Sequence, residues 1–357
     1  MQAHQHGYKD TGVACRPGRR DTPRERRNGP DVRLLVTCIF IIVMSVIPAG
    51  VINGADAEEA EQPLRAAIFY TTETTFQDIN IVYQIANSIE ENLGRQEDVA
   101  FSRYSKDELS YTQTFEAAQL MHMNLLLCSG FEGEAYKEKY QSAQDADMSF
   151  VMIDGDVPDS GRLSYVGSDN YGSGKAALEF ILQQAAERES DHKIRIAVLT
   201  PSRNTGLMSI RDRYEGFMDA AESRENVEIA AVEETSFDYG EAVAKTEELF
   251  ARDKELDAVF TTEAIGGQAA ADVLKAEKAE RRISVITYDM NSNIRKCIED
   301  GSITMTLEQD TDQIGEAVAS LLMKLSQVPE EKWQEEAHDR LFPCIVQTAE
   351  TLEKAEP

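Results

Sequence analysis

The sequence predicts an α/β protein built as two doubly wound lobes with parallel sheets. Three observations carry that reading. Short apolar runs of roughly four to six residues alternate with helical patterns of roughly ten to fifteen, the signature of βαβ units. About ten such runs occur, more than one ordinary sheet holds, so two sheets fit better than one. Polar and aromatic residues recur directly after the runs, at the edge where open α/β sheets bind ligands.

Residues 1–33 are polar, rich in Arg, Gly and Pro and without period, and are expected to be disordered. Leu34–Ile52 is free of charge and follows a basic flank ending at Arg33, the composition of an export signal or a membrane anchor. Ala55-Asp56-Ala57 has the small-x-small pattern of a cleavage site. Basic residues before this segment and an acidic chain after it place the folded part outside the cytoplasm. Strand and helix patterns then alternate. Ala66–Tyr70 is a strand, Phe76–Leu93 a helix, Val99–Phe101 a strand, Lys106–Met121 a helix, Asn124–Leu127 a buried strand, Glu132–Ala143 a polar helix and Ser149–Ile153 a strand. Ser164–Gly167 is extended, Gly174–Ala186 helical, Ile194–Leu199 a strand, Leu207–Ala221 helical and Val227–Val232 a strand. Helix Glu241–Phe250, strand Ala258–Thr261 and helix Gln268–Lys278 follow. Ile283–Thr287 and Ile303–Leu307 are strands on either side of an amphipathic segment and the Asp300-Gly301 turn. Helix Gln313–Leu325, the charged stretch Glu330–Arg340 and a short strand at Cys344–Val346 complete the chain.

Apolar residues make up 42% and charged residues 28%, a globular balance. The formal charge is −28, and the first 33 residues hold eight Lys/Arg against four Asp/Glu, so the acid lies beyond them. Such a surface repels nucleic acid and disfavours anionic partners. The five cysteines, at 15, 38, 128, 297 and 344, form no C-x-x-C pair, which argues against a disulfide framework or a zinc site. Cys128, Cys297 and Cys344 are expected to be buried free thiols.

Nucleotide and hydrolase signatures are missing. No G-x-G-x-x-G follows the first strand, and Gly172-Ser173-Gly174-Lys175 lacks P-loop spacing. There is no G-x-S-x-G, and His122, His192 and His338 sit in polar or helix-terminal contexts that suit surface histidines. Neither an enzyme nor a cofactor or metal is expected. Instead, Phe76, Asp154, Asp169-Asn170, Phe237, Glu263, Asp289 and Gln309 stand just after strands. Carboxylates and amides that bond hydroxyls, with rings to stack on a sugar's apolar face, are what a polyol site needs. An acid in such a place also serves as a helix cap.

Ser164–Gly174, SYVGSDNYGSG, resembles the crossover segment of type I periplasmic sugar-binding proteins, the ribose/galactose-binding group. IRDRYEGF at Ile210–Phe217, LDAVFTTEAIGGQAA at Leu256–Ala270, ISVITYD at Ile283–Asp289 and IEDGSITMTLEQDTDQIG at Ile298–Gly315 agree with it in order and spacing. The resemblance spans roughly residues 65–350 and extends to the ligand domain of lactose-repressor-type regulators, although an apolar segment stands here where those carry a DNA-binding motif. It implies two Rossmann-like lobes joined by three crossings. The first lobe would take 64–168 and 310–339, and the second 169–309 and 340–357. It also implies that Phe76, Asp154, Arg211, Phe237, Asp289 and Gln309 hold the ligand.

Three departures stand out. Gly155 replaces an Arg of ribose binders, Glu263-Ala264 an Asn-Asp pair, and Cys128 an Asn. They imply a different ligand or pose from ribose, and Glu263 adds an acid suited to a cationic group. The function implied is an extracytoplasmic solute-binding protein that closes on a sugar or related polyol and hands it to the permease of an ABC transporter. The alternative is a sensory protein presenting its bound signal to a membrane receptor or histidine kinase.

Overall fold

The structure, a computed structural model, describes residues 63–71, 80–188, 192–202, 206–277 and 282–355. The apolar segment 34–52, the 55–57 motif and Phe76 lie outside the described residues. Strand and helix alternate along the described chain. The first lobe holds β1 (Leu64–Tyr70), α1 (Ile81–Leu93), β2 (Val99–Ser105), α2 (Tyr111–Leu120), β3 (Leu125–Ser129), α3 (Glu134–Asp145), β4 (Ser149–Ile153) and β5 (Ser164–Ser168). The second holds α4 (Asn170–Glu187), β6 (Ile194–Pro201), α5 (Met208–Glu222), β7 (Val227–Thr235), α6 (Tyr239–Arg252), β8 (Ala258–Thr261), α7 (Ala264–Ala276), β9 (Ser284–Tyr288), α8 (Ser292–Glu299) and β10 (Met305–Glu308). The chain then returns to the first lobe as α9 (Thr311–Leu325), α10 (Trp333–Glu336) and β11 (Arg340–Phe342), and ends in the second as β12 (Ile345–Gln347) and α11 (Ala349–Ala355).

The two sheets have the same order. They run β11-β5-β4-β3-β1-β2 and β12-β10-β9-β8-β6-β7. Among the described strands only β12 pairs antiparallel, against β10. Helices cover both faces, so inner strands are apolar on both sides, as β3 and β8 show. Each lobe accordingly has two apolar clusters. In the first, Ile68, Ile85, Leu127, Val151 and Ile314 fill one face and Phe115, Tyr140 and Phe150 the other. In the second, Leu199, Val259 and Val285 lie on one face and Phe217, Phe260 and Tyr288 on the other.

Local chemistry moves several boundaries. The helix expected from Lys106 begins at Tyr111, because Ser110 and Gln113 form a reciprocal capping box. The polar tail Ser102–Ser105 continues β2, whose whole length pairs with β1 at the sheet edge. Arg340–Phe342 pairs in parallel with β5, so the expected start of the second lobe's tail at residue 340 is corrected to a point after Phe342. Trp333 anchors the charged stretch before it, buried and donating Nε1 to the Leu325 carbonyl at 3.0 Å. The chain crosses between lobes three times, near Asp169, Gln309-Asp310 and Pro343-Cys344. The first and third crossings are tied by the Asp169 amide, 2.8 Å from the Phe342 carbonyl. Cys128 and Cys297 are buried free thiols as expected, whereas Cys344, at the third crossing, is only half-buried.

The Phe217 and Phe260 rings stack at 4.0 Å between centroids and 6° between planes, joining α5 to the sheet beneath the cleft. Phe217→Ala is expected to lower unfolding stability by about 3–5 kcal/mol, read by urea denaturation.

Candidate functional site

The carboxyl ends of both sheets meet in one cleft. β4 ends on Asp154, β8 on Thr262-Glu263, β9 on Asp289 and β10 on Gln309. Asp154, Phe237 and Asp289 hold left-handed backbone, with φ of 63°, 57° and 60°. That conformation costs a non-glycine residue on the order of 1 kcal/mol and persists only where the surroundings enforce it. At Asp154 they do. Its carbonyl accepts from Asn170 Nδ2 at 2.8 Å and lies 3.0 Å from Tyr165 Oη. At Asp289 the amide donates to the Leu307 carbonyl at 2.9 Å, and the carbonyl accepts from Thr306 Oγ1 at 2.7 Å.

Gln309 joins the lobes. Its Oε1 accepts from Ser168 Oγ at 3.1 Å, and its Nε2 is 3.3 Å from Asp154 Oδ1. The same amide favours the ionised forms of both Asp154 and Asp289. Burial nonetheless pushes both carboxyls above their usual range. Arg213 opposes the shift at each, while the Asp154 charge adds to it at Asp289.

Arg213 is the centre of the arrangement. Only 2% of it is exposed. Its Nε donates to Asn170 Oδ1 at 2.9 Å and its Nη1 to the Thr262 carbonyl at 3.1 Å. The guanidinium carbon lies 4.1 Å from the centre of the Tyr288 ring. Its approach to Asp289 is loose, with Nη1 4.0 Å from Oδ2. Arg213 Nη2 and Asp289 Oδ1 are buried without a hydrogen-bond partner. Buried polar atoms are otherwise nearly always paired, so two orphans on facing groups point to a ligand position.

The other expected site residues have different surroundings. Glu263 is buried at the start of α7, where its carboxylate accepts from the Ile265 and Gly266 amides at 2.5 and 2.7 Å as the helix cap. Burial raises its carboxyl to about 7, against those two bonds. Asp289 is not the cap of α8, a role taken by Asn291. Phe237 is 41% exposed, just before the Asp238 cap of α6. Arg211 stands at the lip, half-buried, paired with Glu132 of the first lobe and Glu215 of its own helix. Two residues of the central network, Arg213 and Ser168, were not singled out from the sequence, and Asn170 entered only as a strand-end neighbour. A signal for Arg213 existed: it shares a helix face with Ile210 and Phe217, three before and four after.

The three departures now have physical settings. Cys128 points into the outer core cluster, away from the cleft, and burial drives its thiol up to about 12. Gly155 and Gly130 pack backbone to backbone, with the Gly130 amide 2.8 Å from the Gly155 carbonyl. A Cβ at Gly130 would lie 2.6 Å from that carbonyl, and one at Gly155 would lie 3.2 Å from the Ser209 amide of the other lobe. A side chain at residue 155 would press on the Gly130 carbonyl and the Ser209 amide, so both lobes would have to give by a few tenths of an ångström. Next to this pair the lobes touch directly. Phe131 and Leu207 form an antiparallel bridge, and the Glu132 amide donates to the Gly206 carbonyl at 2.8 Å. His122, His192 and His338 are exposed, as expected.

Residues 71–330 match the family of the periplasmic binding protein domain, and the chain belongs to that family. The ribose import binding protein RbsB of Haemophilus influenzae is 24% identical over 192 residues, 54% of this chain and 62% of that protein. The chain thus aligns over less than two thirds of the length of that curated relative. Among solved structures, a solute-binding protein of Burkholderia graminis in complex with D-arabinose superposes with a TM-score of 0.67 at 18% identity, covering 82% of this chain and 97% of that one. GanP, a glucose-galactose binding protein of Geobacillus stearothermophilus, gives 0.67 at 19% identity, covering 82% and 99%. These two likenesses establish the type I periplasmic binding protein fold.

The raised carboxyl of Glu263 fixes the sign of a pH effect. Its folded value of about 7 lies above its ordinary 4.5, so its contribution to stability is present below 4.5 and is lost as pH rises through about 7. Urea unfolding across that range should show the chain losing stability relative to Glu263→Gln between pH 4.5 and 7, with a constant difference at higher pH.

Proposed function

We propose that the protein is an extracytoplasmic solute-binding protein whose lobes close on a small polar ligand, a sugar or related polyol, for delivery to the permease of an ABC transporter. One observation carries this reading. Asp154 of the first lobe and Asp289 of the second both lie within electrostatic reach of Arg213, with Asp289 Oδ1 and Arg213 Nη2 buried and unpaired. Hydroxyls donate to carboxylates and accept from a guanidinium, so a polyol satisfies both orphans at once. The ribose import relatives and the sugar-bound structures with the same fold support the ligand class. The uncharged stretch Leu34–Ile52 behind a basic flank supports export.

The mechanism is hinge closure. Each lobe contributes groups that reach the ligand together only when the lobes meet, so binding favours the closed arrangement by its differential contacts. Gln309, at the second crossing, reports the hinge angle to Asp154 directly. No chemical step is assigned to any residue.

A thermal-shift and calorimetric screen of sugars and polyols tests the reading. A ligand held at about 100 times its Kd should add about 2.7 kcal/mol of stability. Asp289→Asn should then weaken binding about 10- to 100-fold, the cost of an unsatisfied buried partner. Arg211→Ala should weaken it less than about fivefold, because exposed ion pairs contribute at most about 1 kcal/mol. A larger effect at Arg211 than at Asp289 would move the ligand from the central network to the lip.

A further inference from the structure

We propose that the ligand carries a protonated amine, as an amino sugar or an amino-substituted cyclitol does, seated with its ammonium between Asp154 and Asp289. The proposal rests on the solute-binding reading and narrows its ligand class.

The buried charges argue for it. Asp154 and Asp289 come from different lobes, burial raises both carboxyls, and the Asp154 charge opposes ionisation of Asp289. Neither caps a helix, so no helix end offsets them, whereas Asp169, Glu263, Asn291 and Asp310 take the cap positions around the cleft. Arg213 opposes both shifts, and two of its three nitrogens are engaged by Asn170 and the Thr262 carbonyl. Its closest approach to Asp289 is 4.0 Å, and Asp289 Oδ1 is left bare. Glu263, the acid first expected to meet a cationic ligand, spends both oxygens on the α7 amides. The Asp289 charge in turn adds to the upward shift of the Glu263 carboxyl. Closing the lobes therefore brings two carboxylates together with one loosely placed cation. A neutral polyol supplies donors to them but no charge. An ammonium supplies three donors and a charge, in the stronger, charge-assisted form of hydrogen bond.

The approach to the cleft has the same sign. Glu132 and Asp156 from the first lobe and Asp212 and Glu215 from the second gather at the lip. Their cations are already committed, Arg211 to Glu132 and Glu215 and Arg162 to Asp156 and Asp339. Burial and the three neighbouring acids raise Asp212 to about 6, against Arg211. Such a rim concentrates cations and repels anions.

The test is calorimetry on the full chain with matched trios: glucosamine, glucose and N-acetylglucosamine, then the galactose and mannose equivalents. The amine of at least one trio should bind about tenfold or more tightly than both its parent and its N-acetyl form, and the advantage should shrink in high salt. Parents binding as well as or better than the amines would overturn the proposal and leave the sugar reading intact. Binding by no member of any trio would remove both. Asp289→Asn should reduce the preference for the amine more than the affinity for the parent, with a thermal melt to show that the variant is folded. If it is not folded, Asp154→Asn is read instead, and an undiminished preference in the folded variant would also overturn the proposal.

Discussion

A guanidinium buried at the meeting point of three strand ends constrains everything around it. Arg213 cannot lose its charge, and an unpaired buried charge is among the most costly features a fold can contain. Its partners are therefore fixed: the Asn170 amide at the first crossing, the Thr262 carbonyl after β8 and the Tyr288 ring at the end of β9. Through Asn170 the constraint reaches the Asp154 carbonyl and so the first lobe. The site and the hinge are in this sense one network, since Asn170 and Gln309 belong to both. The left-handed turns at Asp154 and Asp289 are tolerated because this network holds them.

The fold was legible because its determinants are local. Continuous apolar runs such as those of β3, β8 and β9 mark strands covered on both faces, and the helices between them keep helical spacing. The positions of Asp154, Asp289 and Gln309 were legible for a related reason: a residue directly after an inner strand has to emerge at the carboxyl edge of its sheet. Side-chain direction was harder. Arg211 and Arg213 lie two apart, so they occupy different helix faces, and only the packing of Ile210 and Phe217 shows which one turns inward. The same limit applies to Cys128. Pleat alternation along β3 sends Leu125 and Leu127 to one cluster and Leu126 and Cys128 to the other. Glu263 was read as a ligand acid from its strand-end position, the same position that makes it the cap of α7.

At the end of the chain the sequence showed β12, one residue early, but not β11. β11 and β12 are three residues each, and both have largely exposed side chains. Too short for a period, they are held by pairing with β5 and β10 rather than by a buried stripe. Their placement on the outer edges follows from topology: the last segment of each lobe has only the free edge left. That is why the boundary near residue 340 was displaced while the inner strands kept their places.

The backbone bridge between Phe131 and Leu207, beside the glycine pair, gives the lobes an affinity for each other that owes nothing to any solute. Such self-contact acts as an equilibrium constant in its own right. The apparent dissociation constant equals the intrinsic one divided by the fraction of molecules already competent to bind. Strengthening the bridge would therefore tighten binding but raise the share of empty molecules that display the closed shape. The Asp154 charge, which opposes ionisation of Asp289 on the other lobe, pulls the other way. The balance between main-chain attraction and carboxylate repulsion sets how far the lobes favour the closed shape on their own.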